Sequence, residues 1–206
     1  MKSKKIITLA LAAAMVSVSA LSVSAASLTN SQADDKTEVQ AHISGSTTGN
    51  VTYKITIPDK VTFEPLSRPE TSGTDSYKTA EYAVSLDEVS NLGADEQISV
   101  YVKDQNASVN DDQNFYIANV SNSNIKFKYQ VFDVPKAQVR EAVSINANPM
   151  TKAAGYYLAG FTAVDDRVDG TLVINEAQLW NNNYTLSDIV GDYSGYMVFR
   201  SRIENA

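Results

Sequence analysis

The chain has 206 residues, and its 24 aspartates and glutamates outnumber its 17 lysines and arginines, so its formal net charge is −7. Binding to nucleic acids or to anionic lipid surfaces needs a basic face, so this acidic balance argues against both kinds of partner. The sequence contains no cysteine. Disulfides are therefore excluded, and the hydrophobic core alone must stabilise the fold.

Residues 1–25 are typical of a secretory signal peptide. Lysines precede a nearly unbroken apolar run, Ile6 to Val16, and small residues at Val23-Ser24-Ala25 form a cleavage site. The apolar run is too short to span a bilayer, which takes about 20 apolar residues. We therefore expect a secreted protein without a membrane span in the mature chain, either released or held at the cell surface by non-covalent contacts.

Residues 26–36 are rich in Ser, Asn, Gln and Asp, which predicts a flexible leader. From Thr37 onward, apolar and polar residues alternate with the period of two that is typical of half-buried strands. This alternation predicts about nine strands, at 37–44, 51–57, 79–86, 98–102, 115–120, 125–131, 156–163, 170–174 and 195–203. Helices are expected at most as two short segments, 136–143 and 175–180. The pattern predicts one all-β domain over 37–206, an immunoglobulin-like or jelly-roll β-sandwich.

Three of the predicted strands have counterparts in other proteins. Small β-sandwich modules of secreted and cell-surface proteins from anaerobic Gram-positive bacteria have a closing strand that resembles Gly191-Asp192-Tyr193-Ser194-Gly195-Tyr196-Met197-Val198-Phe199. Their middle strands resemble Lys78–Ser85 and Ile98–Val102. The resemblance implies a structural or adhesive role rather than catalysis. The chain departs from these modules at Asn175–Ile189, an insertion of unassigned role that contains its single tryptophan.

Catalytic sites have little support in the sequence. Nucleophilic triads usually need a histidine base, and the single histidine, His42, falls on the polar side of its strand. Glycoside hydrolysis needs only two facing carboxylates, and the candidates are Asp165, Asp166, Asp169 and Glu176. An acidic cluster beside a glycine is more typical of a turn, and one tryptophan offers few platforms for sugars. We therefore predict a protein that is not an enzyme, with a small glycoside hydrolase as the second alternative.

Aromatic residues among amides are candidates for ligand binding, because an exposed ring stacks on a sugar while amides bond its hydroxyls. Trp180, Tyr184 and Tyr196 fit this pattern. The alternative is that Trp180 and Tyr193 close the open end of the sandwich over its core. A carbohydrate-binding module thus requires an exposed Trp180, whereas the structural interpretation requires a buried ring.

A polar loop is the candidate for calcium binding. Oxygen-bearing side chains occupy every second position, which is the ligand chemistry of a hard cation. These residues are Asp104, Asn106, Ser108, Asn110 and Asp112. The glycine and the glutamate of an EF-hand loop are replaced by Val109 and Phe115, so an ordinary polar loop is the alternative. No other cofactor is predicted.

Basic side chains recur at alternate positions on two predicted strands. Lys126 and Lys128 belong to one strand, and Arg200 and Arg202 to the other. If the strands are neighbours, the four residues form a basic stripe, which is either a solvated face or a docking site for phosphate-bearing wall polymers.

Together these features predict a secreted, non-enzymatic structural or adhesive protein of the cell surface or extracellular matrix, with a carbohydrate-binding module as the alternative. Its partners would be other copies of itself, other surface proteins or glycans. The strand Thr37–Gly45 suggests a mechanism, since it could leave its own sheet and pair with a neighbouring subunit through backbone hydrogen bonds. The alternative is an ordinary first strand in a monomer.

Overall fold

The computed structural model describes residues 25–28, 40–41, 51–107, 113–147, 150, 155–180 and 183–206, the first two ranges as backbone only. These residues contain eleven strands: β1 Ala25–Leu28, β2 Gln40–Ala41, β3 Thr52–Pro58, β4 Tyr77–Ser90, β5 Glu96–Asp104, β6 Phe115–Asn119, β7 Lys126–Phe132, β8 Tyr156–Phe161, β9 Arg167–Asn175, β10 Tyr193–Ser194 and β11 Met197–Asn205. They form two sheets, ordered β1-β3-β4-β9-β7-β6-β10 and β2-β11-β5-β8. The prediction of an all-β sandwich is confirmed.

The alternation of apolar and polar residues produces the core. In β7, for example, Phe127, Tyr129 and Val131 are buried, while Lys126, Lys128 and Gln130, which alternate with them, are exposed. Buried residues of both sheets form one continuous hydrophobic cluster. Within it the ring of Phe115 in β6 lies 5.7 Å from that of Tyr156 in β8, measured between centroids. The two sheets therefore pack face to face, and each large side chain buried between them contributes about 2 kcal/mol.

Helices are short, as the sequence predicts. The segment after Pro135 forms only a 3-10 turn at Lys136–Gln138, and none of its residues is buried. Two further 3-10 turns span Ile145–Ala147 and Glu176–Leu179. The α-helix Leu186–Ile189 is a single turn, which Thr185 and Asp188 cap reciprocally. Segments of this length have too few internal hydrogen bonds to grow into longer helices.

Both N-terminal segments lie at sheet edges. Strand β1 runs antiparallel to β3, with Ala25 opposite Pro58 and Leu28 opposite Ile55. Residues 26–28 of the predicted flexible leader thus lie in a strand, because the unpaired backbone groups of an edge strand accept an extended segment whatever its side chains. Strand β2 is the described part of the predicted strand 37–44 and runs parallel to β11. His42 lies outside the described residues.

Among the described residues, no helix has the length and apolarity needed to cross a membrane.

Candidate functional site

The predicted calcium loop is described only where it begins. Asp104 is buried, and its carboxylate accepts hydrogen bonds from the backbone N–H groups of Asn106, at 2.8 Å, and Tyr116, at 3.0 Å. These bonds join the end of β5 to the start of β6. The other proposed ligands, Ser108, Asn110 and Asp112, lie outside the described residues. Over the ranges that are described, no three His, Cys, Asp or Glu side chains come together as a metal site, and calcium binding stays a prediction.

Trp180 is half-buried rather than fully exposed. Its indole Nε1 donates a hydrogen bond of 2.8 Å to the carbonyl oxygen of Pro69. The guanidinium carbon of Arg68 lies 4.1 Å from the centroid of the ring. The ring thus holds the loop between β3 and β4, and it is not the open platform that a sugar site at this residue requires.

The tyrosines near Trp180 have different environments. Tyr193 packs on Phe127, with 5.2 Å between ring centroids, and its hydroxyl donates to the carbonyl oxygen of Ile189 at 2.7 Å. Tyr184 is half-buried and packs against the hydrophobic core. Tyr196 is 59% exposed. Of the predicted ligand-binding residues, Tyr196 therefore offers the most open surface.

The carboxylates proposed for glycoside hydrolysis are divided between the two ends of β9. Asp169 lies near its start and Glu176 follows its last residue. At about 3.3 Å per residue the two are roughly 20 Å apart, which exceeds the 5 to 10 Å that this chemistry uses. Asp166 instead accepts backbone hydrogen bonds from Thr162 and Ala163, at 2.7 and 2.9 Å, within the turn before β9.

Glu176 has a structural environment that the sequence did not predict. Glu176 is 2% exposed. Its carboxylate accepts hydrogen bonds from the Ser76 hydroxyl, at 2.6 Å, and from the Ser67 backbone N–H, at 2.7 Å. Burial alone would raise its pKa. The hydrogen bonds from Ser76 and Ser67 and the charge of Lys78 outweigh this effect, so the pKa is lowered. Glu176 thus anchors the loop between β3 and β4 to the end of β9.

The four basic residues do not form one stripe, because their two strands are not neighbours. Lys126 and Lys128 lie on β7 of the seven-stranded sheet, whereas Arg200 and Arg202 lie on β11 of the four-stranded sheet. Outward side chains of the two sheets point to opposite sides of the sandwich. The two lysines instead flank Tyr116, with their Nζ atoms 4.0 and 5.7 Å from its ring centroid.

The outer side of the four-stranded sheet carries a connected network of polar side chains. We call it the tyrosine–arginine face, formed by Gln97, Ser99, Tyr101, Tyr157, Arg202 and Glu204. The Tyr101 hydroxyl donates a hydrogen bond of 2.6 Å to Glu204 Oε2 and accepts one of 3.0 Å from Arg202 Nη2. Arg202 Nε lies 2.6 Å from Glu204 Oε1. The side chains of β5 and β11 are thus locked to one another.

Ser99 extends this network through its contacts with Gln97 and Glu204. Gln97 Nε2 donates to Ser99 Oγ at 3.1 Å. Burial would raise the pKa of Glu204, but hydrogen bonds from Tyr101 and Ser99 and the charge of Arg202 lower it overall. Glu204 therefore stays ionised at neutral pH and holds its partners as a charged acceptor.

Tyr157 brings an exposed ring to this face. It is 47% exposed and lies opposite Tyr101 in the β5–β8 register. The two rings are 5.7 Å apart, with 76° between their planes. A Cβ atom on Gly160 would lie 2.8 Å from the Tyr157 hydroxyl and would also collide with Gln97. The absence of a side chain at Gly160 thus lets the Tyr157 ring extend over the sheet.

Sequence reasoning missed this face for a topological reason. Tyr101 and Tyr157 lie in strands that are distant in sequence, and alternation does not determine which strands pair. The available signal was the outward position of Tyr101 between the core residues Val100 and Val102. That position places the Tyr101 side chain on the outer face of the sheet but does not identify its partner there.

No protein-family model matches the chain, and no curated protein matches it. Among solved structures, the chain is similar to a chain from a chaperone–tip adhesin complex described as vital for synergistic activation of CFA/I fimbriae biogenesis. The identity is 10% and the TM-score is 0.41, over 75% of this chain and 52% of that chain. The chain thus spans about half the length of the chain that it matches.

Proposed function

We propose that the chain is a secreted, non-enzymatic β-sandwich that acts in adhesion at the cell surface or in an extracellular matrix. The observation that carries this proposal is the tyrosine–arginine face. Its polar side chains are fixed by hydrogen bonds on a rigid sheet, and Tyr157 is left exposed beside them. Preformed surfaces of this kind suit contact with a partner, because little side-chain entropy is lost on binding.

Binding to isolated cell walls of the producing organism tests the proposed adhesion. We expect saturable binding of the fluorescently labelled secreted chain, measured by sedimentation with the walls. Tyr157→Ala, which truncates the exposed ring, should weaken that binding, whereas Tyr77→Ala should not. Tyr77 is a matched control because it is 57% exposed and lies on β4 of the other sheet. Wild-type protein that stays in the supernatant at all concentrations would refute the adhesive function.

Self-assembly by strand exchange is the mechanism that the sheet edge supports. On one side, β11 pairs with β5 from Met197 to Asn205. On the other side, β2 runs parallel to β11, with Gln40 opposite Arg200 and Ala41 opposite Ser201. An edge strand is held by backbone hydrogen bonds, and the same bonds can be made by the matching segment of another copy, so the segment Thr37–Gly45 can exchange between the β11 edges of two copies.

Size-exclusion chromatography across protein concentrations, with and without calcium, tests this assembly. We expect oligomers whose share increases with concentration. Ala41→Pro should reduce that share because proline lacks the backbone N–H that a strand ladder uses, whereas Ala41→Ser keeps this donor and should assemble normally. A wild-type chain that elutes as a monomer at every concentration would exclude strand exchange. An oligomer share that changes with calcium would support the predicted calcium site.

A carbohydrate-binding module is the second candidate function, and Tyr157 favours it. The ring of Trp180, the predicted sugar platform, is covered by the guanidinium of Arg68, whereas Tyr157 is 47% exposed.

A further inference from the structure

We infer that the tyrosine–arginine face binds acidic saccharides, with Tyr157 stacking on a sugar ring and the neighbouring cations pairing with its carboxylate. This inference deepens the adhesive function proposed above and rests on it, because it names the class of ligand. It is carried by the placement of one aromatic ring, a set of fixed polar groups and a local excess of positive charge.

The aromatic platform is Tyr157. Gly160 has no side chain and so leaves room for the Tyr157 ring over β8, and edge contact with Tyr101 holds the ring there. The ring therefore loses little conformational freedom when a ligand binds. Aromatic side chains combine a large apolar surface with a polar tip. The ring therefore suits the apolar face of a pyranose, and its hydroxyl suits one of the sugar hydroxyls.

Polar groups flank this platform in fixed positions. Tyr101 and Arg202 are held by Glu204, and Gln97 is oriented by its bond to Ser99. The two oxygens of Glu204 are engaged by Tyr101 and Arg202, so Glu204 positions the site rather than binding the ligand. Gln97 and the outer nitrogens of Arg202 are the groups placed to bond a saccharide.

The charge of the face selects an anion. Outward positions of β5 and β11 carry three cationic residues, Lys103, Arg200 and Arg202, and one carboxylate, that of Glu204. This excess of cations occurs on a chain whose formal net charge is −7. Such a local positive region attracts carboxylates, while the Tyr157 platform requires a sugar ring. A uronic acid meets both requirements, since it presents a pyranose ring and a carboxylate together.

Binding of polygalacturonate and of its methyl-esterified form, measured by isothermal titration calorimetry, tests the inference. We expect the acidic polymer to bind and its neutral ester to bind far more weakly. Tyr157→Ala should weaken binding at least about tenfold, which corresponds to 1.4 kcal/mol, while Tyr77→Ala should match the wild type. Arg200→Gln should lower the affinity and flatten its dependence on salt, because one ionic contact is lost.

Several outcomes would overturn the inference. Equal binding of acid and ester would exclude an acidic ligand class, and equal affinities of Tyr157→Ala and wild type would exclude this face. Absence of binding to all three of polygalacturonate, alginate and hyaluronan would also exclude acidic saccharides as the ligand. Circular dichroism melting curves of each variant establish that a loss of binding is not a loss of fold. Because wall binding and chromatography are measured separately, this inference can fail while the adhesive function stands.

Discussion

Replacing Gly170 with alanine should destabilise the sandwich by about 3 kcal/mol, at the upper end of the cost of overpacking a core. Gly170 lies opposite Tyr82 in the β4–β9 register, and an added Cβ would collide with the Tyr82 ring. That ring is 4% exposed, and its hydroxyl donates a buried hydrogen bond of 3.0 Å to the carbonyl oxygen of Phe132. The ring cannot move aside without losing this bond and disturbing the packing around it.

Urea unfolding of a double-mutant cycle measures this effect. Tyr82→Leu removes the ring from above Gly170, so Gly170→Ala should cost much less in that background than in the wild type. The difference between the two costs is the coupling free energy of the pair, and residues in contact typically give 0.5 to 3 kcal/mol, in order of magnitude. An identical cost in both backgrounds would show that the Tyr82 ring does not need glycine opposite it.

The local pattern of the sequence predicted the strands well because burial decides it residue by residue. In β7 the alternation placed Phe127 and Tyr129 inside and Lys126 and Lys128 outside, as observed. Sheet membership was not predictable in the same way. It depends on contacts between segments far apart in the chain, so the sequence could not decide whether the strand of Lys126 and Lys128 lies beside the strand of Arg200 and Arg202.

The candidate site shows the same limit. Trp180 among asparagines is typical of a sugar platform, but its environment is set by Arg68 and Pro69, which arrive on a loop more than 100 residues earlier. Tyr157 gave no comparable signal, because its value as a platform depends on Gly160 and on Tyr101 of the neighbouring strand. The sequence shows which side chains could bind a sugar, but the exposure of the Trp180 and Tyr157 rings depends on tertiary packing and could not be predicted from it.

The loop between β3 and β4 also explains why protonation of Glu176 in acid should weaken the fold. Hydrogen bonds to charged groups contribute about 1.5 to 3 kcal/mol each, so Glu176→Gln, which removes the charge and one acceptor, should cost about 2 kcal/mol at neutral pH. Glu88→Gln should cost little, since the Glu88 side chain is 74% exposed.

The expected pH dependence follows from the direction of the pKa shift. The pKa of Glu176 is lowered from its ordinary value of 4.5 in the folded protein. Its contribution to stability is therefore fully present above that value and is lost as the pH falls through the lower folded pKa. Urea unfolding of wild type and Glu176→Gln between about pH 7 and pH 3 should give free energies that differ most at neutral pH and converge in acid. Curves that stay parallel over this range would mean that the anchored loop owes its stability to packing around Trp180 rather than to the charge of Glu176.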